Sequence, residues 1–156
     1  MERKTQVHAE DGKQEIFITR EFELPLDVLF KAYMEPKIVE QWMGTKVLKL
    51  ENHPHGGYQF ETTDPKGNKH RFNGTIHEFV PEAKITRTFE MENSGFPVQL
   101  EFLEFASISE GKSHLRMQMV FKSVADRDRM LQLPFAQGIS MAHDRLQEVV
   151  QKLHNQ

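Results

Sequence analysis

Cysteine is absent from the 156 residues. That removes disulfides, thiol nucleophiles and thiolate metal ligands together. No apolar run nears the roughly 20 residues of a membrane-spanning helix. The opening MERKTQVHAEDGKQE also lacks the apolar stretch of a signal peptide, so a soluble, cytoplasmic chain is expected. Charge of one sign is missing as well: 20 Lys and Arg against 23 Asp and Glu leave a formal net charge of −3. The charges are interspersed, and nothing marks a phosphate-tracking surface, so nucleic acid is not an expected partner. Nucleophile elbows, phosphate loops and zinc-protease helix words do not occur. Eight histidines are present, yet they make no metal site. His53 and His55 flank Pro54 in one turn, His70 and His77 fall outward or near a turn, and zinc needs three or four convergent ligands. Neither metal nor cofactor is expected.

What is abundant is soft and apolar: 12 Phe and 8 Met, against one Trp and 2 Tyr. Methionine suits irregular apolar space or variable partners. Length fits one domain, here residues 15–156 behind a polar, flexible segment 1–14. EIFITREFE reads as a first strand ended by Leu24-Pro25. LDVLFKAYM puts Leu26, Leu29, Phe30 and Tyr33 on one helical face. Pro36 opens a second short helix, where its missing N–H costs nothing, and Gly44 closes it. TKVLKLEN and YQFETT follow as strands around the turn HPHGG, and DPKGN is a hairpin turn. KHRFNGTIHEFV, AKITRTFEM, FPVQLEFLEFAS and SHLRMQMVF supply four more strands. Ser123, with Asp126 three residues on, opens a short helix in a capping-box-like arrangement. Its Asp126, Arg127, Asp128 and Arg129 read as a solvated face with local pairing. A last stripe, Phe135, Ile139, Ala142, Leu146, Val149, Val150 and Leu153, marks a long C-terminal helix. Runs of adjacent strands with segregated helices predict an α+β fold: a curved antiparallel sheet of six to seven strands around that helix.

Side chains alternate faces along a strand. Leu115, Met117, Met119 and Phe121 therefore point inward together, as do Ile16, Ile18 and Phe22. By the same parity Val98, Leu100 and Phe102 point in and bring Glu104. Ile85, Phe89 and Met91 bring Arg87, Ile16–Phe22 bring Arg20, and Phe72 with Ile76 bring Glu78. The apolar face thus carries four charges, two of each sign. A charge buried alone costs several kcal/mol, so these pair with one another, reach water, or orient a polar group on a bound molecule.

ITREFELPLDVLFKAYMEPKIVEQW, DPKGN with FNGTIHEFVP, and VFKSVADRDRML with QGISMAHDRL together resemble the helix-grip superfamily of START, Bet v 1 and polyketide cyclase domains. They resemble most its branch named for the C-terminal domain of the activator of Hsp90 ATPase. The likeness spans about residues 16 to 153. Two departures stand out. His55-Gly56 or Gly56-Gly57 stands where relatives often carry Gly-Gly after an acidic residue. Pro134, Phe135 and Ala136 replace a common glycine, methionine and glutamate. The resemblance implies a cavity between sheet and C-terminal helix that holds a hydrophobic or aromatic small molecule, lipid- or polyketide-like. Parity and resemblance together nominate Arg20, Trp42, Phe60 and Phe72 as ligand-binding residues. Glu78, Arg87, Phe89, Phe102, Glu104, Met117, Met119 and Met141 complete that set, and Trp42 sits where a lid over the cavity mouth would be. Two alternatives stay open. One is a cyclase or hydrolase using Glu78 or Glu104 as acid or base near Arg87. The other is an Hsp90 co-chaperone-like interaction domain. With about 15 residues before the first strand, a partner N-terminal domain is not expected, and neither is Hsp90 stimulation. A homodimer through a strand edge has no residue signal of its own.

Overall fold

The computed structural model describes residues 4–155. Eight strands form one antiparallel sheet in the order β1-β2-β8-β7-β6-β5-β4-β3. They are β1 Gln6–His8, β2 Glu15–Phe22, β3 Lys46–Leu50, β4 Gly57–Thr63, β5 Lys69–Val80, β6 Lys84–Met91, β7 Gln99–Ser109 and β8 Lys112–Val120. Two short helices, α1 Leu26–Met34 and α2 Pro36–Met43, follow β2; α3 Val124–Gln132 and α4 Phe135–His154 follow β8. This is the helix-grip arrangement, with one strand more than the predicted upper count.

The additional strand lies in the polar segment expected to fray. Gln6–His8 pairs antiparallel with Phe17–Thr19, and Thr5 before it is buried. Much of this anchoring comes from Arg127. Its guanidinium donates to the carbonyls of Glu10 (2.8 Å) and Glu15 (3.3 Å), and only 2% of the residue is exposed. Arg127 is therefore no part of a solvated face. Its neighbour Arg129 is, and pairs with Asp126 at 2.9 Å. Ser123 caps α3 as expected, accepting from the Asp126 amide.

The core forms where α1, α2 and α4 lie against β2, β8, β7 and β6. Ile16, Ile18, Phe22, Leu115, Met117, Met119 and Phe121 are all buried there, with Leu146 and Val150 from α4. A second, smaller cluster of Val39, Tyr58, Phe60 and Ile76 lies beneath α2, with Phe72 and Phe89 packed against it. Two glycines, Gly56 against the Glu51 carbonyl and Gly74, are dictated by contact. A Cβ on Gly74 would overlap the Thr88 carbonyl oxygen and the Tyr58 ring. Tyr58 crosses its neighbouring strand at that point to donate its hydroxyl to the Thr88 carbonyl.

Two strands depart from simple parity. In β5 the register slips between Ile76, which opposes Arg87, and Glu78, which opposes Thr86. A bulge of this kind inserts one residue, here His77, and exchanges the faces beyond it. Phe79 consequently opposes Ile85 and packs on Phe30, while Glu78 turns outward. In β7 the whole set is reversed: Gln99, Glu101, Leu103 and Phe105 are buried, whereas Val98 and Glu104 are exposed. Directly opposed residues share a face, and Leu103 opposes buried Met117.

Candidate functional site

Between the inner face of the sheet and the start of α4 lies a cavity of about 270 Å³. Its sheet wall comprises Arg87 and Phe89 from β6, Gln99 and Glu101 from β7, and Met117 and Met119 from β8. Tyr33 from α1, Trp42 and Met43 from α2, Met130 from α3, and Phe135, Ile139, Ala142 and His143 from α4 complete the lining. Apart from the ends of a few side chains, the lining is hydrocarbon, sulfur and aromatic ring.

The polar atoms are few and close together. Arg87 Nε donates to Glu101 Oε1 at 3.1 Å, and Gln99 Nε2 donates to Glu101 Oε2 at 2.9 Å. All three residues are buried. Burial disfavours the guanidinium's charge, but Tyr58, Glu101 and Tyr33 outweigh it and hold Arg87 above its ordinary pKa. Its guanidinium carbon lies 5.1 Å from the Tyr58 ring centroid, a cation–π placement that favours a desolvated charge. Burial pushes the Tyr33 hydroxyl above the usual phenol range. Tyr33 is held by edge contacts to Trp42 and Phe105.

His143, at 0% exposure, sits on the α4 side. Its Nδ1 lies 2.9 Å from Thr5 Oγ1, and Arg20 donates to that same hydroxyl at 3.1 Å. Its Nε2 is buried with no hydrogen-bond partner among the described residues. Burial, and then the positive charge of Arg20, pushes the ring's pKa down to about 4. It is a neutral imidazole at ordinary pH.

Of the twelve nominated residues, Trp42, Arg87, Phe89, Met117 and Met119 line this cavity. Trp42 serves as wall rather than lid. Its indole N–H donates to the Ala32 carbonyl at 2.6 Å and its carbonyl accepts from Arg145 Nε at 2.7 Å, so it ties α1, α2 and α4 together. Arg20 faces inward as expected but pairs with Asp144 at 2.8 Å. Phe60 and Phe72 belong to the second cluster. Met141 is exposed on α4. Glu78, Phe102 and Glu104 lie on the opposite face of the sheet, in an outer groove shared with Thr86 and Gln118. There Glu78 binds Lys84 and the Thr86 hydroxyl, both at 2.7 Å, and Glu104 binds Arg116 at 3.3 Å. The four expected inner charges thus reduce to Arg20 and Arg87, and the cavity carboxylate is Glu101. A larger cleft of about 550 Å³, lined by Arg20, Glu21, Glu23, His114 and other polar side chains, suits water rather than an apolar guest.

Residues 23–151 match the family described as Activator of Hsp90 ATPase homolog 1-like protein. The chain belongs to that family. No curated relative matches it. Solved structures share the architecture. A protein from Rhodobacter sphaeroides is 18% identical with a TM-score of 0.86, over 96% of this chain and 99% of that one. An Arthrobacter aurescens protein is 14% identical at 0.85, over 94% and 91%. One from Chromobacterium violaceum is 23% identical at 0.72, over 88% and 96%. Identities this low speak for the fold alone. Among the described residues no helix is long and apolar enough to cross a membrane.

Proposed function

We propose that this family member binds a hydrophobic or aromatic small molecule in the cavity between its sheet and its C-terminal helix. The observation that carries the reading is the cavity itself. It is apolar, walled by Met117, Met119, Met130, Phe89 and Phe135, and provided with one buried ion pair at Arg87 and Glu101. Small-molecule sites have this character: mostly apolar walls with a few placed polar groups. Four methionines, Met43, Met117, Met119 and Met130, let the walls adapt to a guest's outline.

Turnover through a carboxylate has less to recommend it. Glu78 and Glu104 are outside the cavity, and both oxygens of Glu101 are already engaged by Arg87 and Gln99. The test is native mass spectrometry of gently purified protein, with extraction and identification of anything released, and then titration with a panel of apolar compounds. A one-to-one apolar adduct is expected, and Ala142→Trp, which fills the cavity, should abolish it. A chain that takes up no member of the panel would overturn the reading.

A further inference from the structure

Two backbone irregularities bring a pair of histidine rings together where the β3–β4 turn meets β5. His55 lies in that turn with φ at +68°, a left-handed conformation costly for most side chains and adopted more readily by histidine. His77 is the residue that the bulge of β5 inserts between Ile76 and Glu78. Reciprocal backbone hydrogen bonds fix the two segments against each other. His55 N donates to the Ile76 carbonyl and Ile76 N to the Gly56 carbonyl, both at 2.7 Å. Gly56 is itself pressed against the Glu51 carbonyl, so the turn has little room to shift. The ring centres stand 6.2 Å apart, with planes inclined at 80°. Irregular backbone of this kind persists only where its surroundings over-determine it, and it clusters at functional positions.

The rings of His53, His70 and His143 are engaged by the Pro54 carbonyl, Asp64 and Thr5. Those of His55 and His77 are exposed, and no described residue forms a hydrogen bond with them. Their nitrogens keep their lone pairs for another acid, such as a metal ion. An imidazole nitrogen lies about 1.1 Å from its ring centre and a metal–nitrogen bond runs about 2.0–2.1 Å, so two rings on one ion have centres at most about 6.4 Å apart. The observed separation falls inside that limit, and rotation of two exposed side chains reaches the roughly 5 Å of a tetrahedral pair.

Charge decides which ions qualify. Glu51 is balanced by Lys49 at 3.5 Å and Glu78 by Lys84 at 2.7 Å. Among the described residues no cluster of three His, Cys, Asp or Glu side chains is placed to hold an ion. Hard, oxygen-seeking cations such as Ca²⁺ and Mg²⁺ find no cage here, whereas imidazole suits Zn²⁺, Cu²⁺ and Ni²⁺. We infer that His55 and His77 chelate one divalent first-row transition ion, with water in its remaining positions, and that the ion clips the β3–β4 turn to the bulge of β5.

Calorimetric titration of the full chain with Cu²⁺, Zn²⁺ and Mg²⁺ at neutral pH, with histidine-ring NMR during the Zn²⁺ titration, tests this. Cu²⁺ should bind more tightly than Zn²⁺, and Mg²⁺ not at all. One equivalent of Zn²⁺ should move the ring signals of His55 and His77 together and leave those of His53 and His70 in place, a readout that needs no variant. His55→Asn suits the left-handed backbone. It and His77→Gln each remove the chelate and should weaken Zn²⁺ binding about a hundredfold, the lower end of the gain from joining two ligands. His53→Gln should bind like the unmodified chain. Zn²⁺ that moves all the accessible histidine rings alike, or only one of the pair, would overturn the inference and reduce the binding to scattered single histidines. Unchanged affinity in His77→Gln would overturn it as well, and Mg²⁺ binding as tightly as Zn²⁺ would overturn the class of ion.

Discussion

Arg87 and Glu101 stand directly opposite each other on β6 and β7, and their side chains close a 3.1 Å ion pair on the buried face of the sheet. Pairs of this kind are costly to break because the survivor is left charged and desolvated. Replacing both partners together is often close to neutral. Glu101→Leu alone is therefore expected to lower unfolding stability by about 3–5 kcal/mol, and Arg87→Met with Glu101→Leu to recover most of that loss. Chemical denaturation of the two single variants and the double measures this directly. A double variant as unstable as the sum of the singles would show that the pair does not act as a unit.

The outer carboxylates should behave otherwise. Glu78 is half exposed beside Lys84, and Glu104 is more exposed beside Arg116. Ion pairs in contact with water contribute little. Glu78→Ala and Glu104→Ala should leave the denaturation midpoint within experimental scatter, and ligand affinity unchanged. A large loss of stability or of binding from either would place that carboxylate back inside the protein.

These carboxylates also mark where the sequence can be read and where it cannot. Apart from β1, element boundaries are legible to within three residues, because proline, glycine and a switch of period punctuate them. Inner faces are legible on β2 and β8, where apolar and polar residues alternate cleanly. On β7 the apolar count misleads. Val98, Leu100 and Phe102 outscore Gln99 and Glu101, yet Leu100 and Phe102 are half-buried on the outer face. Extending the count to Leu103 and Phe105 exposes the tie, and only pairing with β8 breaks it. On β5 no residue type announces the bulge at His77, which emerges from the register with β6. His143 does leave a signal. It falls four residues after Ile139 and three before Leu146, on the same stripe of α4, but in a chain with eight histidines that placement does not stand out. Its partner Thr5 lies in a segment too polar to suggest order, since what holds β1 in place is pairing with β2 and the carbonyls gathered by Arg127.

Gly74 offers a prediction that depends on shape alone. Its strand passes so close to Tyr58 and to the Thr88 backbone that a methyl group has no room. A flexible side chain could move aside, but the Thr88 carbonyl belongs to the neighbouring strand. Gly74→Ala should cost about 1–3 kcal/mol, as overpacking does, and lower the melting temperature by about 2–4 °C for each kcal/mol. Adding Tyr58→Leu should relieve only part of the cost, since the carbonyl remains. A Gly74→Ala chain that melts with the parent would show that β5 can shift without penalty.

Acid should expose His143. An unfolded chain takes up a proton on this residue near pH 6.5, whereas the folded chain resists until about pH 4. Across that window the unfolded state binds more protons, so stability falls as the pH drops and is regained as it rises. The groups that face the ring are Arg20, which opposes protonation, and Asp144, which favours it. Going from pH 7 to pH 4.5, this one residue should remove about 2–3 kcal/mol. Carboxylates held low by their partners, Glu51, Asp64, Glu78 and Asp126, also weaken the fold in acid. They are shared with a His143→Phe chain and cancel in the comparison. Urea denaturation of both chains at the two pH values should give a His143→Phe variant whose stability falls by that much less. Equal losses would mean that the ring is protonated in the folded state without penalty, and that its buried Nε2 finds an acceptor.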